Sequence, residues 1–203
     1  MTGQQRTNHV ADPWPSIVGR AVHAWLAQAF RDENTINGVI RFLPEIRVTP
    51  DPLYPGTADL YDGYEKALVD HKVVGDTTTR KVMSAGGPPW HYVIQMLLYK
   101  RGYELLGLPV RRVVLAAWPR TKPTMDELYC WDRLASPEDD DILQQVFAIT
   151  AARRQVAQAV LRGEIKIEQV RRTPSDECYF CPWYRPQSAL DGGPGCPGHS
   201  LPG

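Results

Sequence analysis

Apolar residues recur three and four positions apart in three segments of the chain, which is the spacing of one helix face. Residues 16–31 have this pattern, and Ser16 is placed to act as an N-cap, so we predict an α-helix there. Further helices are predicted over about 90–107 and about 137–162, and Ser136 is a candidate N-cap for the second of these. The acidic residues that follow Ser136 suit the positive end of that helix and do not require a bound cation.

Short β-type runs separate the helical segments. Residues 39–74 contain three of them, VIRFLPEIRV, GTADLY and KALVDHKVV, and Pro or Gly stands between the runs. Two further strands are predicted over 111–118 and 126–132. The polar, Gly/Pro-rich residues 75–89 predict a mobile surface loop. This order favours an α/β fold in which a mixed sheet of about five strands is flanked by helices.

Composition narrows the class of protein. The 203 residues are 43% hydrophobic and 23% charged, which is enough for one domain with a real core and excludes a collagenous or disordered chain. Lysine and arginine balance aspartate and glutamate at 23 each, so net charge gives no argument for a nucleic-acid or membrane partner. No apolar stretch is long enough to span a bilayer and no signal peptide is present, so we expect a cytoplasmic protein.

Two aspartates and a lysine on neighbouring predicted strands are candidates for chemistry. Asp59 lies in GTADLYDG and Asp70 in ALVDHKVVG, and Asp62-Gly63 between them could close a hairpin that brings the carboxylates together. Asp70 and Lys72 project from one face of their strand. Such a group is costly to bury unless it binds a cation, for which carboxylate oxygens are suitable ligands. The alternative is an exposed polar face of an edge strand.

Four motifs occur in a fixed order along the chain: Gly19-Arg-Ala-Val-His23, Gly56-Thr-Ala-Asp59, Asp70-His71-Lys72 and His91-x-x-x-Gln95-x-x-x-Tyr99. Together they resemble the G-x-x-x-H, first-acid, (D/E)-x-K and Q-x-x-x-Y motifs of the PD-(D/E)XK nuclease superfamily, in particular its RecB-like branch and the CRISPR-associated exonucleases. The resemblance implies a restriction-endonuclease-like core, which we assign to residues 1–173. Aspartate in place of the commoner glutamate before the lysine changes only the length of that side chain.

The resemblance also implies roles for individual residues. Its metal ligands are His23, Asp59, Asp70 and the backbone carbonyl of His71, which would hold one or two Mg²⁺ or Mn²⁺ ions. The implied catalytic residues are Asp59, Asp70 and Lys72, of which the lysine positions or activates the nucleophile. Glu45, on the preceding strand, is a candidate additional acid.

Several other residues are candidates for contact with DNA. His91, Gln95 and Tyr99 line one helix face, where an amide and a hydroxyl could hold a phosphate or a base; the alternative is a half-exposed helix with a tyrosine packed on the sheet. Basic residues near the proposed site could neutralise phosphates, or they could be solvated ends of elements. They are Arg80, Lys81, Lys100, Arg101, Arg111, Arg112, Arg120 and Lys122.

The last 30 residues contain little that could form a core. Cys178, Cys181, Cys196 and His199 have the spacing of a structural zinc site, so we predict a small Cys-rich, metal-bound segment over 174–203. Two alternatives remain: a segment that holds no metal, and a [4Fe-4S] cluster of the kind that related nucleases often carry. No cysteine precedes Cys130 to supply the usual fourth ligand of such a cluster. Cys130 is predicted to be a core thiol.

The function that these features imply is that of a metal-dependent DNA exonuclease acting at DNA ends. The resemblance links this activity with recombination, repair or end processing, and with a phage-encoded enzyme that is paired with a single-strand annealing protein. Two alternatives remain: a structure-specific or sequence-specific endonuclease of the same fold, and a non-catalytic DNA-binding module. Strand preference, polarity and oligomeric state do not follow from the sequence.

Overall fold

A five-stranded mixed sheet carries the residues of interest. The computed structural model describes residues 13–122, 124–166, 169–171, 173, 178, 181, 183–188 and 196–198. The elements are α1 (Trp14–Asn37), β1 (Phe42–Val48), β2 (Gly56–Asp62), β3 (Ala67–Val74), α2 (Asp76–Val82), α3 (Trp90–Leu105), β4 (Arg112–Pro119), β5 (Tyr129–Leu134) and α4 (Glu138–Leu161). The strands lie side by side in chain order, and only β3 and β4 are parallel. The predicted α/β class and five-stranded mixed sheet are confirmed.

One segment differs from its prediction. Residues 75–89, expected to be a mobile loop, contain the short helix α2. Its polar sequence lacks an apolar stripe, but Val82 is fully buried and anchors the helix. Asp76 in its first turn and Arg80 and Lys81 in its last turn also suit the helix dipole.

The chain folds into two compact units. Residues Trp14–Gln145 form one, which holds the sheet, α1, α2, α3 and the start of α4, while the described residues from Val146 onward belong to the other. As predicted, acidic residues occupy the first turn of α4, where the buried Asp139 accepts a hydrogen bond from the backbone N–H of Ser136 at 3.1 Å. None of the helices in the described part of the chain has the length and apolarity that a membrane crossing requires.

Helix α3 packs closely on the sheet. Tyr103 is fully buried, and its ring stacks on that of Tyr61 with the centroids 5.0 Å apart. The neighbouring Gly102 allows this approach, because a Cβ atom there would lie 2.5 Å from Cβ of the buried Val48 in β1. The absence of a side chain at Gly102 therefore sets the distance between α3 and β1.

We expect Gly102→Ala to destabilise the protein by about 2 kcal/mol, because overpacking in a filled core costs about 1–3 kcal/mol. In an exposed helix the same change stabilises by about 1 kcal/mol, so the sign of the effect identifies the cause. Urea unfolding measures it. Gly19→Ala in α1 is the matched control, since nothing lies within 4 Å of the added methyl, and it should be neutral or stabilising. A Gly102→Ala protein as stable as wild type would contradict the close packing.

Candidate active site

The site begins where β2 and β3 separate. Their antiparallel pairing runs from Asp62–Ala67 to Leu60–Val69 and ends there. Asp59 is the next residue of β2, and its Oδ2 accepts a hydrogen bond from the backbone N–H of His71 at 2.7 Å. The backbone N–H of His71, which has no partner in the β2–β3 pairing, is thus bonded by a side chain instead. This bond fixes the orientation of the Asp59 carboxylate.

His23, Glu45 and Asp59 form a cluster of potential metal ligands. Nδ1 of His23 in α1 lies 3.2 Å from Oδ1 of Asp59, and one ligand atom from each of the three residues falls within 4.8 Å of the others. Asn34 secures α1 against β1, because its Oδ1 accepts hydrogen bonds from the backbone N–H groups of Arg41 and Phe42. Helix α1 and strands β1 and β2 therefore each contribute one residue to the cluster.

Glu45 joins the cluster through an unusual backbone conformation. Its φ is 57°, in the left-handed region that residues other than glycine seldom adopt. The regular alternation of β1 is broken at this residue, since Leu43 and Ile46, an odd number of positions apart, both pack on the core cluster. Such strain costs on the order of 1–3 kcal/mol and tends to occur at functional sites.

The electrostatics of the cluster suit a cation. The hydrogen bond to Asp59 raises the pKa of His23. Burial acts to raise the pKa of Asp59, but the hydrogen bond and charge of His23 outweigh it and leave that pKa lowered. Burial, followed by the charge of Asp59, raises the pKa of Glu45. Two carboxylates so close together repel each other, and a bound cation would relieve that repulsion.

Asp70 is buried beside the cluster without adequate compensation. It is 1% exposed, and burial raises its pKa to about 6, with a further contribution from the charge of Asp59. The Lys72 ammonium is ion-paired with Oδ2 at 2.8 Å, but no other described group donates a hydrogen bond to either carboxylate oxygen. Orphaned, buried carboxylate oxygens are what a site for a hard cation presents before the ion binds.

The residues present fit a divalent cation such as Mg²⁺ or Mn²⁺. Carboxylate oxygens with one imidazole nitrogen are a suitable ligand set for these ions. The Asp70 carboxylate is not within the 4.8 Å group that the described residues His23, Glu45 and Asp59 form. It lies close enough, however, for the Asp59 charge to affect its pKa.

Lys72 is held between β3 and α3. Its Nζ donates a hydrogen bond to Oε1 of Gln95 at 2.9 Å, and Nε2 of Gln95 donates to the hydroxyl of Tyr99 at 3.0 Å. Gly56 leaves room for Tyr99, because a Cβ atom at Gly56 would lie 2.7 Å from Cε1 of that ring. Nζ also lies 5.2 Å from the ring centroid of Tyr92. The (D/E)-x-K and Q-x-x-x-Y segments are thus joined through the lysine ammonium.

The side chain of His71 points away from Asp70 and Lys72. It stacks on Phe30 with the ring centroids 6.1 Å apart, and its Nδ1 accepts a hydrogen bond from Nε1 of Trp118 at 3.2 Å. Burial lowers its pKa to about 4, so the ring is neutral near pH 7. The imidazole is therefore part of the packing of α1 on the sheet, and the role of the backbone carbonyl stays a prediction.

The remaining candidates lie around this centre. His91 is exposed, and its ring packs against that of Tyr92 with the centroids 4.3 Å apart. Arg80 and Lys81 are exposed on α2. Lys100 does not belong on the basic surface, because it is 7% exposed and pairs with Glu104 at 3.0 Å. Three other basic candidates have carboxylate partners: Arg101 with Asp140, Arg112 with Asp132 and Lys122 with Glu127.

The sequence analysis missed two arginines. Arg20 and Arg31 line an open cleft of about 520 Å³ beside His23 and Glu45, together with Ala24 and Ala27. These α1 residues recur at helical spacing on the face that carries His23, and the small alanines leave the cleft open. The periodicity of α1 shows that these residues share a face, but it does not show which face of the helix packs on the sheet.

The cysteine-rich segment is described only in part. Cys178, Cys181 and Cys196 are half-buried, and the backbone N–H of Cys181 donates to the carbonyl of Cys178 at 2.9 Å. His199 lies outside the described residues, so the four-ligand zinc site stays a prediction. Cys130 is not the core thiol that we predicted: β5 is an edge strand, and Cys130 is on its exposed face.

Comparison with solved structures identifies proteins of similar architecture. The alkaline exonuclease LHK-Exo from Laribacter hongkongensis matches with a TM-score of 0.52 and 15% sequence identity, over 79% of this chain and 75% of that one. A candidate exonuclease from Eubacterium rectale matches with a TM-score of 0.38 and 18% identity, over 66% of this chain and 55% of that one, so the match spans about half of its length. No protein-family model matches the sequence, and no curated protein does. The chain therefore shares the fold of an alkaline exonuclease, which fits the resemblance to the PD-(D/E)XK nucleases that its motifs show.

Proposed function

We propose that this protein is a divalent-cation-dependent deoxyribonuclease that hydrolyses phosphodiester bonds at DNA ends. The observation that carries the proposal is the buried pair of Asp70 and Lys72, whose carboxylate oxygens lack hydrogen-bond partners among the described residues, beside the cluster of His23, Glu45 and Asp59. A buried charge pair next to an open cleft is typical of a catalytic centre.

The residues that would hold Mg²⁺ or Mn²⁺ are His23, Asp59, Asp70 and the backbone carbonyl of His71, with Glu45 as a further acid. When bound, such an ion polarises the scissile phosphate and makes water a better nucleophile. One or two ions could be accommodated by this number of ligands.

The other side chains orient the reactants. The Lys72 ammonium, fixed by Asp70 and Gln95, would donate hydrogen bonds to the attacking water or to a phosphate oxygen. Tyr99 supports Gln95. Arg20 and Arg31 in the cleft would bind phosphates of the substrate strand.

Gln95→Leu is expected to lower kcat by about tenfold to a hundredfold, because Lys72 loses the acceptor that holds its ammonium in place. KM for DNA should change little, which distinguishes a positioning role from a binding role. Gln95→Glu keeps an acceptor oxygen and should recover part of the loss. Tyr99→Phe removes only the partner of Nε2 and should have a smaller effect. Steady-state digestion of linear DNA over a range of concentrations measures kcat and KM for all three variants, and an unchanged kcat in Gln95→Leu would contradict the role.

The proposal is tested by digesting end-labelled linear duplex DNA and a covalently closed circle with Mg²⁺ or Mn²⁺, and with EDTA as the control. An exonuclease degrades only the linear DNA, and which label is released first gives the polarity. Cleavage of the circle would indicate the alternative endonuclease. If folded, metal-loaded protein cleaves neither substrate, the activity is refuted and a non-catalytic DNA-binding module takes its place. The complete set of Asp59, Asp70 and Lys72 argues against that module, which would be free to lose them.

The wider organisation follows from the same proposal. We assign residues 1–173 to the nuclease domain and 174–203 to a segment that a zinc ion holds through Cys178, Cys181, Cys196 and His199. Elemental analysis of purified protein would give one zinc per chain, whereas iron with visible absorbance would indicate the [4Fe-4S] alternative. A cytoplasmic role in recombination or repair with a single-strand annealing protein fits an enzyme that resects DNA ends.

A further inference from the structure

A second groove, separate from the metal-ligand cluster, lies along α2 and the turn that follows it. It has a volume of about 560 Å³ and is lined by Thr77, Arg80, Lys81, Ser84, Gly87 and Pro89. Arg80 and Lys81 come three and four residues after Thr77, and Ser84 comes three residues after Lys81, so these four lie on one side of α2 and its following turn. No carboxylate is among these lining residues, and neither Arg80 nor Lys81 has an ion-pair partner in the part of the chain that the structure describes.

The groove is an ordered feature. Ser84 donates its hydroxyl proton to the carbonyl of Lys81 at 2.7 Å, and the N–H of Gly87 donates to the carbonyl of Ser84 at 2.8 Å, which closes the turn. Gly87 has a φ of 73°, and a Cβ atom there would lie 3.0 Å from Nε1 of Trp131 in β5. The groove therefore offers three donors for an anion, Thr77, Arg80 and Lys81, while Gly87 and Pro89 form an apolar wall.

The indole of Trp90 comes directly after Pro89 in the sequence. Trp90 is the first residue of α3 and is 54% exposed, although burial of a tryptophan normally stabilises a fold. Cations that follow a phosphate backbone, together with an exposed aromatic ring on which an unpaired base can stack, are the features of single-strand sites. The bases of a duplex are already stacked on one another, so they do not stack on such a ring.

The groove adjoins the proposed active site through both of its elements. β3 runs from Lys72 to α2, and the four residues from Lys72 to Asp76 span about 13 Å at about 3.3 Å each. Trp90 precedes Gln95 by five residues of α3, which is about 8 Å along the helix axis.

Resting on the proposed nuclease function, we propose that this α2 groove binds a single-stranded segment of the DNA substrate. Arg80, Lys81 and Thr77 contact its phosphates, and Trp90 stacks on a base. The occupant is single-stranded DNA whose scissile phosphate lies near Lys72, so the enzyme acts on a strand that has separated from its complement. The groove would thereby select frayed ends and single strands over a closed duplex.

Binding measurements with the full chain test this assignment. Each variant also carries Lys72→Ala to suppress cleavage, and fluorescence anisotropy in Mg²⁺ follows a labelled oligonucleotide of about 12 nucleotides, single-stranded or as a blunt duplex, within the size range of single-strand sites. Trp90→Ala should weaken single-strand binding about tenfold and duplex binding less than about twofold. Trp90→Phe should restore most of the affinity, because it keeps an aromatic face.

The salt dependence of binding tests the role of the positive charges in the groove separately. Replacing Arg80 and Lys81 together by alanine should reduce the slope of log affinity against log salt by about 1.4, since each phosphate contact to a single strand contributes about 0.7. Trp25→Ala is the matched control, because Trp25 is as exposed, at 61%, and lies on α1. It should leave both affinities unchanged, and thermal melting checks that every variant is folded.

Three results would overturn the assignment: equal losses in Trp90→Ala and Trp25→Ala, an equal loss of duplex and single-strand binding in Trp90→Ala, or an unchanged salt slope in the Arg80 and Lys81 variant. These outcomes depend on binding alone. If the wild type hydrolyses no DNA, the proposed function fails, whereas the groove is still judged by these affinities.

Discussion

Lys72→Ala should lower the single-turnover rate of DNA hydrolysis by about a thousandfold while DNA affinity stays within about threefold of wild type. Among the residues that the structure describes, Lys72 is the one whose ammonium lies beside the buried Asp70, at 2.8 Å, and its side chain is 19% exposed. A cation held there contributes when negative charge develops on the phosphate and little when intact DNA binds. The loss should therefore appear in the rate of the chemical step.

Lys122→Ala is the matched control, since Lys122 is an exposed lysine whose ammonium pairs with Glu127 at 3.1 Å. It should cleave at the wild-type rate. Thermal melting of both variants checks that folding is intact. If Lys72→Ala kept more than about a tenth of the wild-type rate, it would lose far less than the hundredfold that a proton-transferring or charge-stabilising group contributes. In that case Lys72 would be only an ion-pair partner of Asp70.

The fold could be predicted from periodicity because most elements have a one-sided apolar pattern. α3, β4 and α4 were predicted to within two residues, whereas α1 continues six residues beyond its predicted end at residue 31. α2 was missed because a single buried side chain, Val82, anchors it. One apolar residue cannot produce a periodic pattern in the sequence. The side of the sheet that α1 covers also depends on tertiary contacts, here the bonds from Asn34 to the start of β1.

The residue types of the site could be predicted from the sequence, but the hydrogen bonds and the backbone conformation that bring them together could not. Alternation along β3 predicts that Asp70 and Lys72 share a face and that His71 does not. By contrast, the bond from the N–H of His71 to Asp59 arises because β2 and β3 separate at that point, and sequence alone gives no sign of the separation. The position of Glu45 depends on a left-handed backbone at a non-glycine residue, which no propensity predicts. Distances between elements were therefore the missing information.

Asp70→Asn should abolish the stabilisation of the protein by Mg²⁺ or Mn²⁺ without lowering its Tm in metal-free buffer. Burial raises the pKa of Asp70 to about 6 although the Lys72 ammonium lies 2.8 Å away, so the charge of Asp70 opposes folding when no metal ion is bound. A neutral amide of the same shape removes that cost, which offsets the lost attraction to Lys72. The wild-type Tm should rise with metal concentration, because an ion that binds only the folded state stabilises it.

The matched control is Asp62→Asn, since Asp62 is another buried aspartate, at 7% exposed, on the adjacent strand β2. Its carboxylate accepts two hydrogen bonds from Arg41 and one from the N–H of Tyr64, and these bonds help to keep its pKa lowered despite burial. Asp62→Asn should therefore lower the metal-free Tm and leave the metal-induced rise intact, the reverse of the Asp70→Asn pattern. If Asp70→Asn instead lowered the metal-free Tm and kept the metal-induced rise, Asp70 would be a structural partner of Lys72 and not a ligand. Differential scanning fluorimetry with and without EDTA separates the two patterns, because a ligand and a structural carboxylate differ in which of the two Tm values they change.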